Sequence, residues 1–356
     1  MLSTISLAVT TLLDDPITPI PGQTTLRDAI NTADGGATTI QYVIKFAVKG
    51  TIDLTSALPD LSNNIDIKGP GASNLTVQRD SSAPDIPIFS VRNGGGASVN
   101  ISGVTITGGY NTLSWGGGID NFGGALTVIN DIFTNNYSEV GGGLTNGASS
   151  NGETGTATVI DCTFSNNSAF DGGGISNIEG STITIIGSTF ANNSAGAYSG
   201  GFYNEGVATV IGSTFTNNSA DSGGGIFAQI GTTTVIGSIF VNNSAEYGGA
   251  IDNGLSQQQI QTLTVIGSIF INNSASFDGG AIYNYGTSAA TVTDSIFANN
   301  SAIDGGGIYN YSGGTVTVRN SIFAFNIATD GGGIYNLGTL TNTRNLFFDN
   351  TGGDTN

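Results

Sequence analysis

Phenylalanine recurs along this chain with a period close to 25. Phe133, Phe164, Phe190, Phe215, Phe240, Phe270, Phe297, Phe323 and Phe347 lie 31, 26, 25, 25, 30, 27, 26 and 24 residues apart. Each unit reads roughly T-V-x-x-S-x-F-x-N-N-S-A, then an acidic turn, then G-G-G-I-x-N. Such a unit is too short for a helical repeat, holds no run of helix formers and is rich in β-branched residues. It suits one coil of a parallel β-solenoid. The two longest intervals carry the extra segments 148–155 and 254–261, read as loops inserted between coils. The 356 residues therefore predict one elongated all-β body rather than two globular domains.

In a solenoid, equivalent positions of successive coils stack about 4.8 Å apart, so each repeated residue becomes a ladder. The Phe and Val positions, such as Val265 with Phe270 and Val292 with Phe297, are expected to fill the interior. The N-N pairs and the last Asn of G-I-x-N (Asn177, Asn204, Asn284, Asn310, Asn336) are expected to form amide ladders at turns. The glycine triplets permit tight, left-handed or bulged turns. Cys162, the single cysteine, stands where other units carry Ser188, Ser213, Ser238, Ser268, Ser295 and Ser321, and reads as a small residue in a serine ladder.

Three stretches follow: 1–39, a strand and capping helix; 40–115, less regular first coils; 116–356, the regular repeats, continuous with those coils. The one good helix signal is Thr24–Gly36, with Leu26, Ala29, Ile30 and Ala33 on one face and glycines stopping it. An amphipathic helix at a solenoid end covers the first coil's apolar ladder and blunts the open sheet edge.

The segment Thr24-Thr25-Leu26-Arg27-Asp28-Ala29-Ile30, followed by I-K-G-P-G-A-S-N-L-T-V, I-S-G-V-T-I-T-G-G and copies of G-G-G-I-Y-N with S-I-F-x-N-N-S-A, resembles exported bacterial proteins of the right-handed parallel β-helix type. Such proteins are common in cyanobacteria and related to polymorphic outer-membrane protein repeats. Their N-terminal signature, C-S-L-R-E-A-I, matches residues 24–30 except at the first two positions and a Glu-to-Asp change. The resemblance spans residues 7 to 350 and implies a right-handed β-helix of adhesive or structural character.

Net charge is −18, and no Lys or Arg stands between Arg92 and Arg319. That surface repels nucleic acid and anionic lipid. Suitable partners are cations, neutral sugars such as cell-surface glycans, or copies of the chain itself. With no histidine and one cysteine, Cys/His metal sites are excluded. The opening residues 1–16 lack a basic region and an unbroken apolar run, so neither a signal peptide nor a membrane span is read there. No cluster of carboxyls stands out against the repeat as a glycosidase pair would, so a non-catalytic chain is expected.

Glu139, Asp171, Asp221, Glu246, Asp278, Asp304 and Asp330 fall just before the glycines. Stacked in register they would form a file of carboxylates that calcium could bridge; otherwise they are a solvated turn. Tyr283, Tyr309 and Tyr335, with Phe202, Tyr203 and Phe227, would make a sugar-stacking strip if they face outward and core if inward. The N-N-S triplets at Asn166, Asn192, Asn217, Asn242, Asn272 and Asn299 are explained by ladders without glycosylation.

The expected function is an extracellular or cell-surface structural protein whose copies associate head to tail into fibres or a matrix. Leu2, Ile5, Leu7, Val9 and Leu12 would dock on a neighbour as an added strand, or pair with the chain's own first coil, and Phe347 and Phe348 would meet the next copy. The alternatives are a monomeric glycan-binding adhesin module and, third, a polysaccharide hydrolase.

Overall fold

The structure, a computed structural model, describes residues 2–14, 21–92, 98–112, 115–147, 152–254 and 261–355. Residues 148–151 and 255–260 of the two inserted loops lie outside the described residues. The chain winds into a single β-solenoid of about 11 turns. Its walls are parallel sheets of thirteen, twelve and ten strands, with short four- and two-stranded ladders at the turn between the twelve- and ten-stranded sheets. One coil shows the pattern: Thr182–Ile186, Thr189–Ala191, Ser194–Tyr198 and Phe202–Asn204 contribute one strand to each wall and one to the turn. The irregular coils before residue 116 join the same sheets, because Ile65–Lys68 pairs with Ser98–Ser102 and that strand with Ala125–Ile129.

Along the three walls register is kept from coil to coil, so each repeated apolar residue lands on its own kind. Phe133 to Phe347 form one stack with ring centroids 4.4–5.1 Å apart and planes within 13°. Eight of these rings are 0% exposed alongside Val159, Val210, Val235, Val265, Val292 and Val318. Parallel rings at this spacing add to area burial by about 1 kcal/mol per pair.

The N-N pair divides its labour. The first Asn takes the left-handed conformation, φ +54° to +56° at Asn166, Asn192, Asn217, Asn242, Asn272 and Asn299, and points outward. Asn tolerates this region better than most side chains. The second Asn turns inward and is buried: the backbone N–H and Nδ2 of Asn136, Asn167, Asn193, Asn218, Asn243, Asn273, Asn300 and Asn326 donate at 2.9–3.1 Å to the Oδ1 of the next coil's Asn. Nδ2 also donates to a carbonyl of the preceding coil, that of Ile106 for Asn136 and of a Phe for the rest, as Asn218 does to Phe190 at 2.9 Å. Buried amide groups are thereby satisfied without water.

A second amide ladder runs along the ten-stranded sheet through Asn121, Asn146, Asn177 and Asn204 and again through Asn253, Asn284, Asn310 and Asn336, with Nδ2–Oδ1 distances of 2.7–2.9 Å. It is interrupted at Ala228, where Asn204 donates instead to Thr233 Oγ1 at 2.9 Å. The serine ladder forms too, each Oγ accepting from the N–H of the rung before at 3.1–3.2 Å, with Cys162 as one rung. Burial pushes the Cys162 thiol up to about 12, which keeps it an inert thiol. In the glycine turns a side chain has no room: a Cβ on Gly142 would lie 2.4 Å from the Ser168 carbonyl oxygen of the next coil.

The helix spans Leu26–Asp34, with Thr25 and Asp28 forming a reciprocal capping box. Leu26, Ala29, Ile30 and Ala33 close the apolar core at that end. Arg27, largely buried, pairs with Asp14 at 2.8 Å and donates to the carbonyls of Ser56 and Ala57. The segment Ser3–Val9 pairs in parallel with Ile40–Phe46 of the same chain. Val9 is core and Leu7 and Leu12 pack on the core, while Leu2 and Ile5 stay exposed. This strand is therefore paired with its own first coil, the second of the two placements expected for it, and it forms the edge of the thirteen-stranded sheet. Phe347 stacks on Phe323, and Phe348 is exposed.

Asn218→Ala deletes an acceptor for two Asn193 donors and a donor to Phe190 and Asn243. Truncation in mid-ladder should cost about 3 kcal/mol or more in thermal or denaturant unfolding. A loss under about 1 kcal/mol would mean that the ladder does not hold the coils.

Candidate functional site: a tyrosine and carboxylate groove

The column of turn residues just before the glycines runs Val140, Asp171, Tyr198, Ser222, Tyr247, Asp278, Asp304, Asp330. Four of the seven expected acids share it. Glu139, Asp221 and Glu246 stand one residue earlier, and a one-residue offset turns a side chain to the other side of a strand. A single file of seven carboxylates is thus not formed. Asp278, Asp304 and Asp330 do stack in register, and among the described residues no three acidic or cysteine side chains are grouped around one point as ligands of a single metal ion.

The structure instead brings part of this column against the outer face of the ten-stranded sheet. There the middle residue of each G-I-x-N strand gives the series Thr145, Ser176, Tyr203, Phe227, Asp252, Tyr283, Tyr309, Tyr335. Phe202, one position off, faces the core and is 0% exposed. The others point outward, yet Tyr203, Phe227 and Tyr283 are buried where turn rings fold over them, and Tyr309 is buried among Tyr283, Tyr311 and Tyr335. Tyr198 lies 4.6 Å from Phe227, and Tyr247 5.2 Å from Tyr283. Tyr283 continues to Tyr309 at 5.2 Å and Tyr309 to Tyr335 at 5.1 Å. Beside them Tyr285 and Tyr311, half-buried, lie 4.7 Å apart with their planes tilted by 44°.

Between turn and sheet lies a groove of about 560 Å³. Tyr198, Tyr247, Tyr283, Tyr285 and Tyr311 line it together with Ser222 and the carboxyls of Asp221, Asp252 and Asp278. Asp252 interrupts the aromatic series between Phe227 and Tyr283 and is 3% exposed. Ser222 is hydrogen-bonded to its carboxyl, while its Oδ1 is buried with no partner. Burial pushes its carboxyl well above the usual carboxylate range, the Ser222 bond opposing this. Asp120, the other aspartate of this sheet column, faces Arg92 at 3.6 Å; Asp252 sits in the long stretch without Lys or Arg. Burial, with the neighbouring Asp304 charge, pushes Asp278 up to about 6, and burial, partly offset by the Tyr198 backbone hydrogen bond, pushes Asp171 up to about 6. The Tyr247 and Tyr283 hydroxyls are raised by burial and by the Asp252 and Asp278 charges, so both stay protonated donors.

Sequence reading missed Asp252. The signal was present: Gly248–Asn253 reads G-G-A-I-D-N where Gly279–Asn284 reads G-G-A-I-Y-N.

The right-handed β-helix region model matches residues 146–323, half of the chain. The chain belongs to the right-handed β-helix family. No curated protein matches it significantly. Among solved structures this β-helix is similar to ORF18 of Geobacillus virus E2 (15% identity, TM-score 0.44, covering 90% of this chain and 56% of that one). It is also similar to the catalytic unit of a thermostable GH87 α-1,3-glucanase from Streptomyces thermodiastaticus strain HF3-3 (19%, 0.49, 92% and 66%). A third is the A-module of the mannuronan C-5 epimerase AlgE6 from Azotobacter vinelandii (12%, 0.34, 92% and 93%). At these identities the likeness concerns the fold alone. The β-helix spans less than two thirds of the first two proteins' chains.

Asp171, Asp252 and Asp278 hold protons in the folded β-helix at pH values where the unfolded chain has ionised. Their stabilisation is full below about pH 4 and is lost as pH rises toward and past 6. The melting temperature should therefore fall from pH 4.5 to pH 7.5. Asp252→Tyr, which restores the aromatic series, should stabilise by about 1–3 kcal/mol at pH 7.5 and by less at pH 4.5. A destabilised variant at pH 7.5 would contradict the burial of an uncompensated carboxyl.

Proposed function

We propose that this β-helix binds carbohydrate along the tyrosine-lined groove, as an extracellular or cell-surface glycan-binding module. The observation that carries this reading is the convergence of five tyrosines from four coils on one groove with three carboxyls. Tyrosine offers an apolar ring to stack on the C–H face of a pyranose and a polar tip for its hydroxyls. A ligand site of this kind pairs a mostly apolar wall with a few fixed polar groups. The half-buried Tyr285 and Tyr311 give the groove a wall that solvent reaches.

The fibre reading drew on stacking at the chain's ends; Ser3–Val9 pairs with Ile40–Phe46 of its own chain, the second placement expected for it, and the groove carries the proposal here. One observation favours cleavage as a second reading. Two carboxyls of one groove stand in unequal surroundings, Asp252 enclosed and Asp221 exposed, and such divergence separates a proton donor from an ionised partner. On that reading, reducing ends released from a bound glycan disappear with Asp252→Asn.

Electrophoresis through gels containing dextran, mannan or laminarin tests the binding reading. Retardation by at least one polymer is expected, and the double variant Tyr285→Ala, Tyr311→Ala should weaken it about tenfold, as two stacking contacts of roughly 0.7 kcal/mol each would. Retardation by none of the polymers, or retardation that the double variant leaves unchanged, would overturn it.

A further inference from the structure

The groove's polar chemistry is one-sided. Its charged lining, Asp221 and Asp278, is acidic, and no cation occurs in the sequence between Arg92 and Arg319 to meet an anionic ligand. Within it Asp252 occupies a position where the flanking coils place Phe227 and Tyr283. A side chain that departs from its repeat, is buried, and keeps one oxygen without a partner costs stability unless something bonds to it.

We propose that the unpartnered Oδ1 of Asp252 is the specificity-determining contact of the groove, bonding to a hydroxyl of a neutral pyranose, so that the site takes uncharged glycans and turns away uronates. This rests on the glycan-binding reading and names its ligand class.

The surroundings support the assignment from every side. Ser222, on the turn, is bonded to the carboxyl and orients it. Tyr283, on the next strand of the sheet, and Tyr247, on the turn, present rings on which a pyranose could stack while its edge hydroxyl meets Asp252. Tyr198 lies in the same groove, and the ionisable groups facing one or more of these rings are Asp171, Asp221, Glu246, Asp252 and Asp278, every one a carboxyl. Burial favours the protonated form of this carboxyl, in which it both donates and accepts, matching the dual character of a sugar hydroxyl. A uronate carboxylate placed there would meet like charges and no Arg or Lys. Leaving a buried polar group unpaired is also how a site rejects an analogue that lacks the matching hydroxyl.

The experiment compares wild type, Asp252→Tyr and Asp252→Asn for binding to the neutral polymers dextran, mannan and laminarin and to polygalacturonate and alginate, with melting curves alongside. The expected result is retention by a neutral polymer at least tenfold stronger than by either uronate. Asp252→Tyr should lose about tenfold or more of that affinity with its melting temperature kept or raised, so the loss is not unfolding, and Asp252→Asn should lose less, because an amide still donates and accepts. Equal or stronger binding to a uronate, or full neutral-polymer affinity in Asp252→Tyr, would overturn the assignment of Asp252 while leaving glycan binding standing. Failure of wild type to bind any of the five polymers would overturn both.

Discussion

The buried asparagine ladder is the interaction on which the rest of this β-helix depends. A parallel sheet by itself holds register weakly, since hydrogen bonds are evenly spaced and a slip of two residues restores them. The inward Asn of each coil accepts two donors from one neighbour and gives its amide to another coil, so displacing one coil would strand several buried polar groups at once. Because that register holds, Phe meets Phe, Val meets Val, and outward residues twenty-five positions apart in the chain become neighbours within van der Waals reach. The groove is a consequence of this, since it is assembled from residues of several coils that share no local contact.

Function enters where repetition fails. In the turn column, Tyr198, Ser222 and Tyr247 form a block between Asp171 and the run Asp278, Asp304, Asp330, and the two tyrosines of that block send their rings toward the sheet. On the sheet the same coils carry Tyr203, Phe227, Asp252 and Tyr283 where earlier ones carry Thr145 and Ser176. The small hydroxyl residues bond back to turn carbonyls, Thr145 to Val140 and Ser176 to Asp171, and close that part of the face. Rings cannot make that bond, so the face opens into a groove. Asp252 sits within it without a cation, whereas Asp120 has Arg92.

Positions repeated in every unit were legible in the sequence. The Phe stack, the Val interior, the serine rungs including Cys162 and both amide ladders follow from periodicity, because equal spacing forces equal placement. The helix was legible from its apolar face, and its capping box tied the ends down. The acidic turn was not legible, because Ser194–Tyr198 carries one residue more than Ser168–Asp171 and a shift of one redirects a side chain. Nor was the burial of Tyr203, Phe227 and Tyr283, which arises from rings on a different segment of the coil. Asp252 could have been found by asking which residue departs from the repeat rather than which residues obey it.

Mapping a bound neutral oligosaccharide by NMR tests the central claim most directly. Shift changes and intermolecular contacts should concentrate on Tyr247, Tyr283, Tyr285, Tyr311 and Asp252, with the thirteen- and twelve-stranded faces silent. Contacts confined to those faces, or to the helix end, would place recognition elsewhere and contradict the account.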